Sequence, residues 1–359
     1  MKMRINFVLP QNGDEPVGGY KVVYQYANYL VDKGHEVHIY FVLLPNGKGF
    51  IYFVSLLKRL ILSVFKPRSR SITWFNLSSQ IRCHFNVIPS KIKWLSSGKT
   101  IATFWKTAFL VEKSRVLQKN KFYLIQGYEI FAGSEDDVNA SWHLPLNKIV
   151  IAKWLNKKIS AMGEKAEYIP NFVDLKTWYP VPKLSTIPTV SMLWHENPRK
   201  GSLMGLNVLI ELKKSVPNLK AILFGTPKRP DVLPTWIQYY QNASEKILRE
   251  SVYSQSDVYM MTSDFEGWGL TAMEAMAVGS AVVSTENGGI DEFTVDGLTV
   301  RKVPVRDRDS MKKETSDLLL NPVVRKQQIN HARTLIENFS LVKSGSHLEK
   351  VLSSEAETF

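Results

Sequence analysis

Cysteine is almost absent from this chain of 359 residues. The single cysteine, Cys83, excludes an internal disulfide framework and a cysteine-based zinc site, and it is typical of a cytosolic protein. Acidic residues are scarce beside basic ones, 33 against 46, which gives a formal net charge of +13 and a pI near 9.5. This balance indicates an acidic partner: nucleic acid, an anionic membrane surface or a phosphorylated small molecule.

Long hydrophobic runs are also missing. The most apolar window, residues 50–65, is shorter than the roughly 20 residues that a spanning helix needs, and Lys58 and Arg59 interrupt it. The N-terminal sequence MKMRINFVLP has too short an apolar run for a signal peptide and predicts a buried first strand. We therefore expect a globular protein without a transmembrane segment.

Several nucleotide-binding motifs are absent or incomplete. No G-x-G-x-x-G run occurs, which argues against a nicotinamide dehydrogenase. The sequence SSGKT resembles half a P-loop, but Lys93 stands where its first glycine would have to be. No aspartate-x-aspartate pair stands at the end of a predicted strand, so no metal is implied.

What the chain does contain is two series of alternating strand and helix patterns. The first series runs from INFVLP through a glycine-opened helix to HEVHIYFVLL, and continues with TIATF and KFYLIQ. The second begins at TVSML and continues with the strand patterns LKAILFG, DVYMMTS and SAVVST. Pro180, Pro182 and Pro188 predict an extended linker between them. Each series predicts one α/β domain, with ligands at the carboxyl ends of the strands.

The segment SDFEGWGLTAMEAMAVGSAVVST, residues 263–285, combines a glycine turn with two glutamates. Glu266 follows a predicted strand, and the turn after it opens a helix whose N-terminal amides suit a phosphate. Glu274 lies between apolar neighbours on that helix, where a carboxylate can accept hydrogen bonds from sugar hydroxyls. A lone helix glutamate is more often a surface salt-bridge partner, but this apolar setting weakens that alternative.

The same segment resembles the glutamate, seven residues, glutamate signature of retaining glycosyltransferases of family 4. IPNFVDLKTWYP, RKG and GGY extend the resemblance over nearly the whole chain. It implies an α/β fold of the GT-B type, with two Rossmann-like, doubly wound domains that face a central cleft. We expect an acceptor-side domain at residues 1–182, a donor-binding domain at 183–338, and a C-terminal helix, about 339–359, that packs back on the first domain.

The resemblance also implies roles for particular residues. Glu266, Gly19 and Tyr128 are expected at the reaction centre, Lys200 at the donor phosphates, and Glu274 at the ribose or deoxyribose. The family's partner arginine is replaced here by His195, so either His195 or Arg199 would supply the second contact to phosphate. The remaining positions expected to bind the donor are Gly18, Gly225, Gly267, Trp268, Gly269, Leu270 and Thr271.

The turn YLIQGYE, with Gln126, Tyr128 and Glu129, stands where many family members carry a histidine, and this variant resembles bacterial rhamnosyltransferases of surface-glycan assembly. We expect a metal-independent hexosyltransferase without a resident cofactor. Its co-substrate would be a dTDP-, UDP- or GDP-linked sugar, and its acceptor a glycan or a polyprenyl-diphosphate-linked glycan. The sequence does not separate same-face displacement from a covalent intermediate.

A membrane role is predicted for residues 50–70, whose apolar side chains would enter the bilayer surface. The basic residues expected to meet anionic lipid are Lys58, Arg59, Lys66, Arg68 and Arg70. This interpretation predicts a cytoplasmic enzyme held at the inner face of the cell membrane. Two alternatives are a sugar-nucleotide 2-epimerase of the same fold and, with less support, a nucleic-acid-binding protein, for which no motif is found.

Overall fold

The computed structural model describes residues 2–45, 49–65 and 70–354. The chain forms two compact units, of which the first contains the chain up to Asn171 and again from Val342 onward. The second unit is Phe172–Leu341. The chain therefore enters the second unit before the proline-rich segment that the sequence suggests as a linker.

The first unit is built on a parallel sheet with helices between its strands. Its strands are β1 (Arg4–Pro10), β2 (Glu36–Val42), β3 (Arg82–Val87), β4 (Lys99–Ala102), β5 (Lys121–Ile125), β6 (Asn147–Val150) and β7 (Ala166–Tyr168). The helices are α1 (Gly18–Asp32), α2 (Gly49–Phe65), α3 (Pro89–Lys93), α4 (Trp105–Glu112), α5 (Glu135–Trp142) and α6 (Lys153–Ala161). The strand order is β3-β2-β1-β4-β5-β6-β7.

The second unit repeats this architecture. Its strands are β8 (Thr189–Leu193), β9 (Lys220–Gly225), β10 (Ile237–Gln241), β11 (Val258–Met261), β12 (Ala281–Thr285) and β13 (Arg301–Val303). The helices are α7 (Ser202–Ser215), α8 (Glu245–Ile247), which continues as a π-helical segment (Leu248–Tyr253), α9 (Leu270–Val278), α10 (Arg308–Leu320) and α11 (Pro322–Ile336). The order is β10-β9-β8-β11-β12-β13, again all parallel.

Both sheets follow the doubly wound order, in which the chain builds outward from the first strand on one side and then on the other. The fold class predicted from the sequence, two Rossmann-like α/β domains, is confirmed. The reason is visible in the central strands, whose side chains are buried on both faces and read as continuous apolar runs, as in VYMM of β11. In the second unit the order reverses between β8 and β11.

The last helix, α12 (Leu341–Ser353), lies against the first unit. Gly345 lets it approach α1 closely, since a Cβ there would lie 2.7 Å from the Tyr29 ring. Two pairs add polar contacts, one between His35 and Glu349 at 2.9 Å and one between His347 and Glu167 at 2.8 Å. Helix α12 thus completes the first unit, although it lies more than 170 residues further along the chain than the residues it joins.

Helix α2 leaves a row of apolar side chains in solvent. Phe50 is 80% exposed, Phe53 61% and Leu57 48%, and the other exposed apolar residues are Ile51, Val54, Ile61 and Leu62. Arg59 differs from the expectation of a lipid-facing residue, because its guanidinium donates to Gln11 Oε1 at 3.3 Å. Lys66 and Arg68 lie outside the described residues. Within the described parts of the chain, no helix has the length and apolar character needed to cross a membrane.

Candidate functional site

The point where strand order reverses in the second unit brings together most of the residues that the sequence selected. Residues that follow β8 and β11 meet there, at the carboxyl edge of the sheet, which is where open α/β sheets bind ligands. Lys200, Glu266 and Thr271 line one pocket at this edge, together with Ser263 and Tyr259. The first three were expected from the sequence.

Lys200 is held at the site by its backbone. It ends a short turn, Pro198–Lys200, whose first amide is capped by Asn197 Oδ1 at 3.0 Å from Arg199 N. The Thr262 hydroxyl then donates to the Lys200 carbonyl at 2.8 Å. Gly201 follows at φ 65°, and a Cβ there would lie 2.0 Å from the Thr262 carbonyl oxygen, so only glycine permits this approach.

Glu266 is the ion-pair partner of Lys200. Lys200 Nζ lies 2.6 Å from Glu266 Oε1, and the same oxygen accepts a hydrogen bond from Ser263 Oγ at 2.6 Å. The side chains are mostly buried, with 27% of Lys200 and 13% of Glu266 exposed. The Glu266 amide donates to the Asn287 carbonyl at 3.0 Å, which ties this loop to the end of β12.

His195 and Arg199 differ as candidates for the second phosphate contact. Burial and the adjacent Lys200 ammonium lower the pKa of His195. The Asn197 amide donates to Nδ1 of the ring at 2.9 Å, so the neutral imidazole carries its proton on Nε2. His195 can therefore donate one neutral hydrogen bond. Arg199 offers a guanidinium group, which lies over the Phe265 ring, 5.7 Å from the centroid.

Helix α9 begins at Leu270, directly after the glycine turn. Gly269 has φ 102°, a backbone conformation that favours glycine and that turns the chain into the helix. The first amides of α9 form an N-terminus at the pocket edge, where its partial positive charge suits an anion. Trp268, expected to bind the donor, buries its ring against Phe293 and Phe339, so its indole supports the turn.

Glu274 lies one turn into α9, on the same face as Thr271. It is only 5% exposed, and the Tyr253 hydroxyl donates to its Oε2 at 3.3 Å. Thr271 accepts from the Tyr259 hydroxyl at 2.8 Å. Glu274 is thus buried, whereas Glu266 is half-buried, and the Tyr253 hydroxyl gives the Glu274 carboxylate a polar neighbour.

The segment that forms this site is similar in sequence to known proteins. Residues 196–335, which contain Lys200, Glu266 and α9, match the family of glycosyl transferases group 1. This segment therefore resembles a group 1 glycosyltransferase domain.

Relatives extend the similarity beyond that domain. A phosphatidyl-myo-inositol mannosyltransferase of Mycolicibacterium smegmatis is 26% identical over 94% of this chain and 90% of its own. In Homo sapiens, one subunit of the phosphatidylinositol N-acetylglucosaminyltransferase is 25% identical over 77% of this chain and 61% of its own.

Solved structures share the fold over the full length. Sucrose-phosphate synthase from Thermosynechococcus elongatus has a TM-score of 0.75 at 15% identity, with 98% of both chains covered. Anabaena HepE, solved with UDP-glucose, has a TM-score of 0.73 at 14% identity, with 98% of this chain and 99% of that chain covered. These likenesses establish the GT-B fold.

Gly225 lies on the neighbouring strand of the glycosyltransferase domain. A Cβ there would lie 2.3 Å from the Trp194 carbonyl oxygen, and the Gly225 carbonyl accepts from the Asn242 amide at 2.8 Å. The glycine therefore lets β9 and the end of β8 approach closely. Its expected contact with the donor stays a prediction.

The first unit carries the other expected residues. Gly18 and Gly19 are the first two residues of α1, and Gln126 Nε2 donates to the Gly19 carbonyl at 3.2 Å. The Tyr128 hydroxyl lies 2.6 Å from Glu135 Oε1 and 3.0 Å from Asn139 Oδ1, and the Lys158 ammonium lies over its ring. Tyr128 is thus bonded to α5, and its expected catalytic role stays a prediction.

Some residues at the site of the glycosyltransferase domain were not selected from the sequence. The Ser263 hydroxyl donates a hydrogen bond to the Glu266 carboxylate, and the Asn287 carbonyl accepts one from the Glu266 amide. Gly289 packs on the glycine turn, since a Cβ there would lie 2.7 Å from the Trp268 carbonyl oxygen. The signal was present in ENGGIDE, where two glycines follow strand β12 at its carboxyl end.

Glu129 is a buried carboxyl group in the first unit. It accepts the amide of Trp105, the first residue of α4, at 2.8 Å, and the Tyr123 hydroxyl lies 3.4 Å away. Burial raises its pKa to about 8, although both hydrogen bonds act in the opposite direction. Glu129 is therefore mostly protonated at neutral pH and joins the loop after β5 to the start of α4.

Replacing Glu129 by glutamine is expected to change the pH dependence of stability. The unfolded chain releases this proton near the ordinary value of 4.5, whereas the folded protein keeps it to about 8. The free energy of unfolding of the native protein should therefore fall as pH rises through this window, by an amount on the order of a few kcal/mol. Urea unfolding of both proteins across the window should show a shallower decline for Glu129→Gln. Parallel curves would contradict the buried, protonated state.

Proposed function

We propose that this protein transfers a hexosyl group from a nucleoside-diphosphate sugar to a hydroxyl group of a glycan or lipid-linked acceptor, with retention of configuration. The observation that carries the proposal is the pocket of the group 1 glycosyltransferase domain, where Lys200 and Glu266 meet beside the N-terminus of α9. Cationic and amide donors at this edge suit a diphosphate, and a carboxylate next to them suits a sugar.

Stabilisation of the departing diphosphate is the central physical requirement of such a reaction. The leaving group gains negative charge as the sugar becomes oxocarbenium-like, so donors aimed at it lower the barrier. In this chain we assign that task to Lys200, to the α9 amides and to Arg199 as the second cation. His195, neutral with a proton on Nε2, would add one hydrogen bond. Glu274 would hold the ribose or deoxyribose, and Glu266 would approach the sugar.

A lipid-linked acceptor is favoured by two observations. The relatives named above act on phosphatidylinositol lipids, and α2 presents an exposed apolar face that also carries the exposed Lys58. We accordingly propose that the enzyme works at the cytoplasmic face of the cell membrane. Because the relatives transfer mannose or N-acetylglucosamine, a hexose of that kind is the first donor to test, and rhamnose is the second.

The experiment that tests the function is a thermal-shift screen of UDP, GDP, dTDP and their sugars, followed by a transfer assay with the donor that binds. A ligand that binds the native state raises the melting temperature, so the donor base should be apparent directly. Incubation of that donor without acceptor tests the epimerase alternative, since epimerisation needs no acceptor. A new sugar nucleotide in that control, or no shift with any nucleotide, would contradict transfer.

Activity is expected to survive EDTA. In the proposed site the phosphate charge is met by Lys200, Arg199 and the amides of α9, so removal of divalent cations should leave the transfer rate within about twofold. The rate is measured with EDTA and again after magnesium is added back. Loss of activity with EDTA and its recovery with magnesium would refute this electrostatic assignment.

A further inference from the structure

The ammonium group of Lys200 and the carboxylate of Glu266 are so close that each determines what the other can bind. They lie 2.6 Å apart, and most of both side chains is removed from solvent. In such surroundings solvent screens an ion pair less than at the surface. Removing one partner therefore leaves an uncompensated charge that favours another ion of opposite sign. A donor diphosphate is an anion of the kind that would also bind this ammonium.

Both anions cannot hold Lys200 at close range without repelling each other. Like charges within a few ångströms disfavour each other's charged forms, and a diphosphate carries more charge than a carboxylate. Binding of the donor at Lys200 must therefore weaken the contact between Lys200 and Glu266. The donor therefore binds less tightly than it would without this contact, because part of the binding free energy is used to weaken it.

Glu266 has a second anchor that does not depend on Lys200. Ser263 Oγ donates to Oε1 at 2.6 Å, and Ser263 is itself held where the Thr285 hydroxyl donates to its carbonyl. The Glu266 backbone is fixed by the bond from its amide to Asn287. This hydrogen bond remains available to the carboxylate when Lys200 turns to another anion.

We propose that Glu266 is an internal competitor for Lys200, so that the donor diphosphate takes over the ammonium and leaves the carboxylate, held by Ser263, free to face the sugar. This inference rests on the proposed function and adds a sequence of events to it. The exchange makes and breaks no covalent bond. Because of this exchange, the Glu266 carboxylate becomes available to the sugar when the diphosphate binds. Ser263 is then a positioning residue for that carboxylate.

The test measures the affinity of UDP, GDP or dTDP, whichever binds the native protein, for the variant Glu266→Gln. A nucleoside diphosphate without a sugar is used because it reports the Lys200 contact and does not involve the proposed contact of Glu266 with the sugar. We expect binding about tenfold tighter than in the native protein, since the competitor has lost its charge. Transfer by the same variant should fall, so affinity and activity change in opposite directions.

Asp264→Asn is the matched control. Asp264 stands two residues away, loses the same charge, and pairs with Arg306 at 2.6 Å instead of Lys200. Its affinity for the nucleoside diphosphate should stay within about twofold of the native value, which separates competition for Lys200 from a general change in charge. Equal tightening in both variants would overturn the proposal.

A second control places Glu266→Gln in a Lys200→Ala background. If Glu266 acts through Lys200, the glutamine should have no effect on affinity there, and the double-mutant cycle should show strong coupling. If the native protein binds the nucleotide and Glu266→Gln binds it with the same affinity, the competition alone is overturned. Failure of every nucleotide to bind the native protein and the variant would overturn the donor site as well.

Discussion

Replacing Lys200 by alanine is expected to lower the transfer rate by roughly 10- to 150-fold while the protein stays folded, because a charge-assisted contact to phosphate contributes about 1.5 to 3 kcal/mol. The loss should appear in kcat/KM with the donor. The assay compares initial rates at donor concentrations below KM.

Glu274 should give a loss of similar size through a different contact. The conservative change Glu274→Gln keeps the shape of the side chain beside Tyr253, which donates to Oε2, but removes the charge that would accept paired hydroxyl groups of the ribose. We expect its effect mainly on donor affinity. Thermal unfolding of the variant shows whether the buried site at 5% exposure has tolerated the change.

Lys312→Ala is a matched control for the Lys200 substitution. Lys312 also pairs with a carboxylate, Glu211 at 3.1 Å, in a contact between α10 and α7 that includes none of the proposed donor-binding residues. Its transfer rate should stay within about twofold of the native value. Native rates in Lys200→Ala and Glu274→Gln together would remove the donor site from the second unit.

The second large effect is expected at the membrane. Liposome co-sedimentation should rise with the content of anionic lipid and fall with salt, since each basic residue near the surface contributes about 1 kcal/mol of attraction. Phe53 and Leu57 lie one turn apart on the exposed face of α2. Changing both to serine should weaken binding by at least about tenfold, because burial of such side chains contributes about 1.5 to 3 kcal/mol each.

Leu320→Ser with Val323→Ser is the control for that pair. These two residues are also exposed and apolar, at 63% and 70%, but they lie around the junction of α10 and α11 in the second unit. Their loss should leave liposome binding unchanged. Glutamine at Lys58 and Arg70 should reduce the dependence on anionic lipid, whereas Arg59, which contacts Gln11, should contribute less. Equal binding to neutral and anionic liposomes, or none to either, would return α2 to a surface helix without a membrane role.

The strands that the sequence predicted and those it missed differ in burial. Apolar runs occur in interior strands because both of their faces are covered, and the interior strands predicted from the sequence are β1, β2, β4, β5, β8, β9, β11 and β12. The four that were not predicted, β3, β7, β10 and β13, are the edge strands of the two sheets. Their side chains are partly exposed, as in β7 with AEY, so composition alone does not distinguish them from loops.

Local patterns in the sequence are sufficient to predict two doubly wound α/β domains and the glycine turn and helix within residues 263–285. Strand burial, helix periodicity and glycine turns are local properties of the chain. Which distant side chains pair with one another depends on how the chain folds. Lys200 and Glu266 are 66 residues apart, and they meet because β8 and β11 are neighbours although two strands lie between them in the chain. The same holds for the contact of Arg59 with Gln11, which are 48 residues apart. Each depends on which backbone or side chain folding brings within hydrogen-bond distance, and no local pattern encodes that.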